Sequence, residues 1–168
     1  VDYDLKTHNI DVGQVIDKLI DYGRDKISGI GAVILAHTMG SPTDLEDIIQ
    51  IADKLGVKIV EDCCEAVGSR VNGYPVGTFG DIGTFSFYPA HQITAGGGGG
   101  MIVTDDDWIA RNCKSLRDWG KCWDWNDKVG DTKTDYRESV DGMEYYRGYT
   151  YQTVGYNMKL PEMNAAFG

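Results

Sequence analysis

The sequence predicts an α/β fold with a mostly parallel central sheet, and three observations carry that expectation. Residues 32–36 (AVILA) form a continuous apolar run, as a buried parallel strand does. Leu45, Ile48, Ile49, Ala52 and Leu55 then mark the apolar face of a helix. Residues 57–60 give a second strand, which completes a strand–helix–strand unit.

The elements follow in order. Residues 1–5 are a short strand candidate. Asp11 can cap a helix whose buried side includes Val15, Leu19 and Tyr22. Gly29 and Gly31 break that pattern before the apolar run. Ser41-Pro42-Thr43 begins the second helix and Gly56 ends it. The next strand delivers the acid Asp62 at its exit, where ligands of open α/β sheets collect. His37 also follows the end of its strand and should face the same side. Residues 79–87 hold a short strand near Thr84-Phe85-Ser86, and 101–104 form another. Asp105–Asp107 cap a helix running to about Leu116. Residues 118–151 are polar, aromatic-rich and without a regular repeat, as binding loops and interface segments are. Pro161 suits the first turn of a last helix.

Composition narrows the function classes. A chain of 168 residues with 42% hydrophobic residues and 22 glycines suits a globular α/β protein, with one domain the simplest count. The net charge is -10, with the acid scattered and no basic stripe, so a nucleic-acid partner is not expected. The apolar runs are too short to span a membrane, and the start has no signal-peptide pattern. The four cysteines include no CxxC, which fits a reduced, cytoplasmic setting without a disulfide scaffold. The opening VDYDL reads as a strand entered in mid-fold and the closing LPEMNAAFG as a helix just starting, so the chain is expected to be a piece of a longer enzyme.

Several residues carry chemistry. A carboxylate such as Asp62 can keep a pyridine nitrogen protonated and so make the ring an electron sink; a strand-end aspartate can equally cap a turn. Ser86 can donate to a phosphate, although serine is common in turns. The glycine run 96–100 allows close backbone approach. It matches neither GxGxxG before a helix nor a P-loop, so it is read as packing and turn geometry. His91 can move protons near neutral pH, and a lone histidine can also serve packing.

Taken in order, the pieces VDYD with Asn9-Ile-Asp11, Ala36-His37, EDCCEA at 61–66 with Gly68, Gly80-Asp81 with Ser86-Phe-Tyr-Pro89, Gly98-Gly99, Arg117-Asp118 and Gly155-Tyr-Asn157 cover nearly all of the chain. This ordered set resembles the DegT/DnrJ/EryC1/StrS family. The resemblance implies a three-layer, fold-type I aminotransferase large domain acting on nucleotide-linked keto-sugars with pyridoxal phosphate or pyridoxamine phosphate. Residues 1–168 would be its central part, without the N-terminal segment and the C-terminal small domain, and inactive on their own.

The resemblance also implies roles. Asp62 would pair with the pyridine nitrogen, Ser86 would bind the cofactor phosphate, and Glu65 would lie near the cofactor hydroxyl. Asn157 would reach the phosphate of a neighbouring subunit in a homodimer with a shared active site. His91 stands where the family carries the lysine that holds the cofactor covalently. Imidazole cannot form that bond, but it can carry a proton. Tyr88-Pro-Ala-His91 is similar to the sugar-nucleotide 3-dehydratases, which remove the C3 hydroxyl of a nucleotide-linked 4-keto-6-deoxy sugar in deoxysugar biosynthesis. A reductase partner is a further implication.

One dehydratase branch binds a [2Fe–2S] cluster through C-x57-C-x-C-x7-C. Here Cys64 and Cys122 keep the 57-residue spacing, but Asp124 and Thr132 occupy the next two places, so a cluster is not expected and no metal ligand is assigned. Gly97 stands where the family has glutamate in GEGG. A sugar aminotransferase homologue and a non-catalytic remnant of the fold are the alternatives.

Overall fold

Asp11 opens the first helix as its sequence suggests. Its Oδ1 accepts the Gln14 N–H at 3.0 Å, satisfying one of the donors that a helix start leaves free. The helix, α1, runs Val12–Asp25 and buries Val15 and Leu19. This architecture comes from a computed structural model that describes residues 1–25, 31–121, 137–146 and 149–168. The chain divides into two units, one of Val1–Asp105 with Glu162–Gly168 and one of Asp106–Pro161.

The first unit is built on a four-stranded sheet. β1 is Ala32–Ala36 and β2 is Lys58–Asp62. A two-stranded hairpin of β3 (Arg70–Val71) and β4 (Tyr74–Pro75) follows, then β5 (Ile82–Ser86) and β6 (Gly100–Val103). The strand order is β1-β2-β5-β6; β1, β2 and β5 are parallel, and β6 runs antiparallel to β5. The sheet is therefore mostly parallel, as expected.

The helix α2, Glu46–Leu55, connects β1 to β2. Gly56 ends it at φ 69°, a left-handed cap that glycine adopts without a Cβ penalty. The main core joins Val15 and Leu19 of α1, Leu35 of β1, Leu45 just before α2, Ile48 and Ala52 of α2, Val57, and Ile59 of β2. Ile48 and Leu19 are essentially inaccessible, and truncating such a side chain to alanine costs about 2–5 kcal/mol.

Three local expectations are corrected. Residues 1–5 form no strand beyond the single bridge Tyr3–Ile10. The Asp4 carboxylate accepts the N–H groups of Lys6 and Thr7 at 2.7 and 2.9 Å and turns the chain there. The second helix begins at Glu46, not at Ser41, because Thr43 is pinned to the end of β1. Its N–H donates to His37 Nδ1 and its hydroxyl to the Ala36 carbonyl, both at 3.0 Å. β1 is also only half covered. It ends the sheet order; Leu35 is buried, but Ile34 is 70% exposed.

In the second unit α3 spans Asp107–Arg117, with the Asp106 carboxylate capping Trp108 and Ile109 as the acidic run predicts. Beyond it the backbones of Gly120 and Gly155 touch. A Cβ on Gly120 would strike the Thr153 carbonyl, and one on Gly155 would strike the Gly120 nitrogen. β7 (Arg137–Val140) and β8 (Met143–Tyr146) pair as a hairpin inside the segment read as irregular. α4, Glu162–Phe167, belongs to the first unit, where Asn164 donates to the Ala95 carbonyl at 2.6 Å. Among the described residues no helix is long and apolar enough to cross a membrane.

Candidate active site

The register of the sheet brings Asp62 and Ser86 to one edge. Asp62, the last residue of β2, pairs with Ala36 on one side and Thr84 on the other. Ser86 lies two residues further along β5. Side chains alternate across a strand, so Asp62, Thr84 and Ser86 share a face and Glu61 takes the other. Asp62 is half-buried. Its Oδ1 accepts the Cys64 N–H at 3.1 Å, and no cation pairs with the carboxylate among the described residues. Burial, and after it the Asp62 carboxylate, push the Cys64 thiol up to about 11. The Ser86 hydroxyl accepts the Tyr88 N–H at 3.2 Å, which leaves its own hydrogen for another acceptor.

His91 lies on the turn that follows β5. Its N–H donates to the Tyr88 carbonyl at 3.0 Å and its side chain is half-buried, not packed into the core. Phe87 closes this loop from both ends. Its N–H donates to Gly99 at 2.8 Å and its carbonyl accepts the Ala95 N–H at 3.1 Å. The next residue, Gln92, donates its amide to the Glu65 carbonyl, so the loop is fastened to the turn that follows β2. The exposed Glu65 carboxylate accepts the Met39 N–H at 2.9 Å. Asp62, Glu65, Ser86 and His91 thus stand on consecutive segments at the strand ends. Asn157 belongs to the second unit, where it bridges to Asp118 and lines a shallow concavity with Trp119, Tyr151, Thr153, Val154 and Gly155. Cys122, Asp124 and Thr132 lie outside the described residues.

On the opposite face of the sheet from Asp62 lies a buried polar cluster. His37 sits at the expected edge, but its ring is turned inward and fully buried. Its Nε2 lies 2.9 Å from Glu61 Oε2, and its Nδ1 accepts the Thr43 N–H. That second bond fixes the proton on Nε2, which donates to Glu61. Glu61 also accepts the N–H groups of Gly77, Phe79 and Gly80 at 2.7–2.8 Å. Burial alone would raise the Glu61 carboxyl; the His37 bond and these three N–H donors outweigh it and hold the group below the usual range.

With Cys63, these residues offer three ligand atoms within 4.8 Å of one another. Every one is already committed. Both imidazole nitrogens are bonded and the carboxylate holds four donors. The Cys63 thiol is pushed up to about 12 by burial, with the Glu61 and Asp62 charges adding to it. The cluster is a packed polar network, and its chemistry does not suit a cation. The in-register pairing of β1 with β2 brings His37, just past one strand, beside Glu61 near the end of the next.

Solved structures place this sheet in a known class. An E. coli GDP-4-keto-6-deoxy-D-mannose-3-dehydratase with bound hydrated PLP matches with a TM-score of 0.78 at 29% identity, over 99% of this chain and 40% of that one. The class is that of aminotransferase-like α/β enzymes. A profile of the DegT/DnrJ/EryC1/StrS aminotransferase family matches residues 1–168, and the chain belongs to that family. The lipopolysaccharide biosynthesis protein RfbH of Salmonella typhimurium is 37% identical over 100% of this chain and 37% of its own length. The dTDP-4-dehydro-2,6-dideoxy-D-glucose 3-dehydratase of Saccharopolyspora spinosa is 39% identical over 99% of this chain and 35% of its own length. The chain therefore spans a little over a third of the relatives it matches.

Proposed function

We propose that this chain is the central part of the cofactor-binding large domain of a sugar-nucleotide 3-dehydratase. The reaction is loss of the C3 hydroxyl from a nucleotide-linked 4-keto-6-deoxy sugar, with pyridoxamine phosphate as the working form of the cofactor. The observation that carries the reading is His91, a half-buried imidazole in YPAH on the loop that follows Ser86 and is fastened through Gln92 to Glu65; the reading assigns it the place of the family's lysine. The names of the relatives support it, since two are 3-dehydratases of nucleotide-linked deoxysugars.

The residues present fit the cofactor. Asp62 is a carboxylate with no cationic partner among the described residues, so a protonated pyridine nitrogen is a suitable one. Ser86 has a hydroxyl hydrogen to give to a phosphate oxygen, and Glu65 lies between the Met39 and Gln92 contacts at the same edge. Asn157 is the proposed phosphate contact toward a second copy of the chain.

Bound there, the aminated pyridine ring supplies an electron sink. The protein supplies the proton traffic. With the cofactor bound, the His91 imidazole would take a proton from carbon and return it to the C3 hydroxyl, so that this group leaves as water. One imidazole, acting first as base and then as acid, serves both halves of this transfer. Because imidazole cannot hold the cofactor covalently, the same substitution disfavours the return of an amine to the sugar. A separate reductase and a cytoplasmic setting complete the reading.

The test is to incubate the intact protein with pyridoxamine phosphate and a 4-keto-6-deoxy nucleotide sugar, with and without glutamate. The reading predicts loss of the C3 hydroxyl without glutamate. Glutamate-dependent formation of an amino sugar would assign the protein to the aminotransferases.

A further inference from the structure

Residues 38–40 form a short turn held more firmly than a surface connection requires. Met39 has φ 55° and ψ 25°, the left-handed region that a non-glycine residue seldom occupies. The surrounding structure leaves it no alternative. The Thr38 N–H donates to Asn9 Oδ1 at 2.8 Å, and Asn9 is itself buried. The Gly40 carbonyl accepts the Ser69 hydroxyl at 2.7 Å, and the Met39 N–H donates to Glu65 Oε2. Yet the Met39 side chain is 76% exposed, so no packing of its own offsets the strained backbone. Unlike Asn72 and Asp141, which take positive φ in two-residue hairpin loops, Met39 lies outside any hairpin, and strain held by a rigid surround clusters at ligand-binding sites.

The turn is also in the right place. It leaves the C-terminal end of β1, and the His37 N–H donates to the Asp62 carbonyl at 3.0 Å. Glu65 receives Met39 through its carboxylate and Gln92, the neighbour of His91, through its carbonyl. The Met39 turn and the His91 loop are therefore fastened to one residue.

We propose that Met39 is a substrate-contacting, specificity-determining residue whose thioether meets the C6 methyl of a nucleotide-linked 6-deoxy sugar; this rests on the function proposed above. A 6-deoxy hexose differs from its parent by a methyl in place of a hydroxymethyl group. A flexible, polarizable thioether packs well on a methyl and is a poor partner for a hydroxyl. Met39 therefore selects for the missing oxygen.

The test is equilibrium binding by calorimetry to the intact protein with its cofactor. The probes are CDP-, GDP- and dTDP-linked 6-deoxyhexoses and their 6-hydroxy counterparts, none of which carries the reactive ketone. We expect the native protein to prefer the 6-deoxy member of its best pair by about tenfold, and Met39→Gly and Met39→Gln to cut that preference to about twofold. Glycine relaxes the positive φ, so the melting temperature of Met39→Gly should not fall, which separates a contact from a structural role. An unchanged preference in both variants, with nucleotide-sugar binding intact, overturns the assignment of Met39 alone. Failure of the native protein to bind any of the pairs overturns the sugar-nucleotide reading and the Met39 assignment with it.

Discussion

Glu61 and Asp62 are adjacent acids on one strand and have opposite surroundings. Glu61 points to the covered face, fully buried, with four hydrogen-bond donors around its carboxylate. Asp62 points to the other face, half-buried, with one backbone donor and no cation beside it among the described residues. The two-residue period of a strand separates them. The lesson is a division of labour. Glu61 ties together the ends of β1 and β2 and the 77–80 loop, and that rigid floor leaves Asp62 free to meet a ligand.

Substitutions separate the roles of the two acids. The largest loss is expected for Glu61→Ala, which strands the His37 ring and three backbone N–H groups in the interior. We expect it to lower the unfolding free energy by about 3–5 kcal/mol in a urea titration. Gly83→Ala comes next. Its Cβ would land on the Gly77 backbone, which donates to Glu61, and overpacking of that kind costs about 1–3 kcal/mol by the same measurement.

Acid probes the same floor. The Glu61 carboxyl is held below its ordinary 4.5, so its stabilisation is complete above that value and is lost as pH falls through the lower folded value. Urea midpoints should drop as pH is lowered below 4.5, and Glu61→Gln, which has no proton to gain, should show a shallower drop. The smallest effect on stability belongs to Asp62→Asn. It keeps the bond to the Cys64 N–H and should shift unfolding by no more than about 0.5 kcal/mol. Its cofactor affinity, read by absorbance titration, should fall; unchanged affinity would erase the contrast between the two acids.

Much of this was legible in the sequence, for reasons that differ by element. α2 and its glycine stop were legible because Ile48, Ala52 and Gly56 satisfy helix period and capping at once. The edge carrying Asp62 was legible because parallel strands of an α/β unit deliver their ends together, whereas the place of Ser86 on that edge comes from the pairing of β2 with β5. Two hairpins were missed although their turns carry the pattern: Asn72-Gly73 and Asp141-Gly142 all have positive φ, as two-residue hairpin loops require. The start of α2 was misplaced because Ser41 and Thr43 look like helix caps locally, whereas Thr43 is committed to His37 and Ala36. The inward turn of His37 was hidden for a related reason. Its partner, Glu61, is 24 residues away, and a pairing between strands leaves no local trace in either one.

The proposed reaction depends on His91 as the proton carrier. The direct measurement is single-turnover loss of the C3 hydroxyl by His91→Asn, with folding and cofactor binding checked against the native protein. We predict a rate about a hundredfold or more below native, with stability and cofactor affinity unchanged. A native rate in that variant would contradict the account, because the imidazole would then have no part in the reaction.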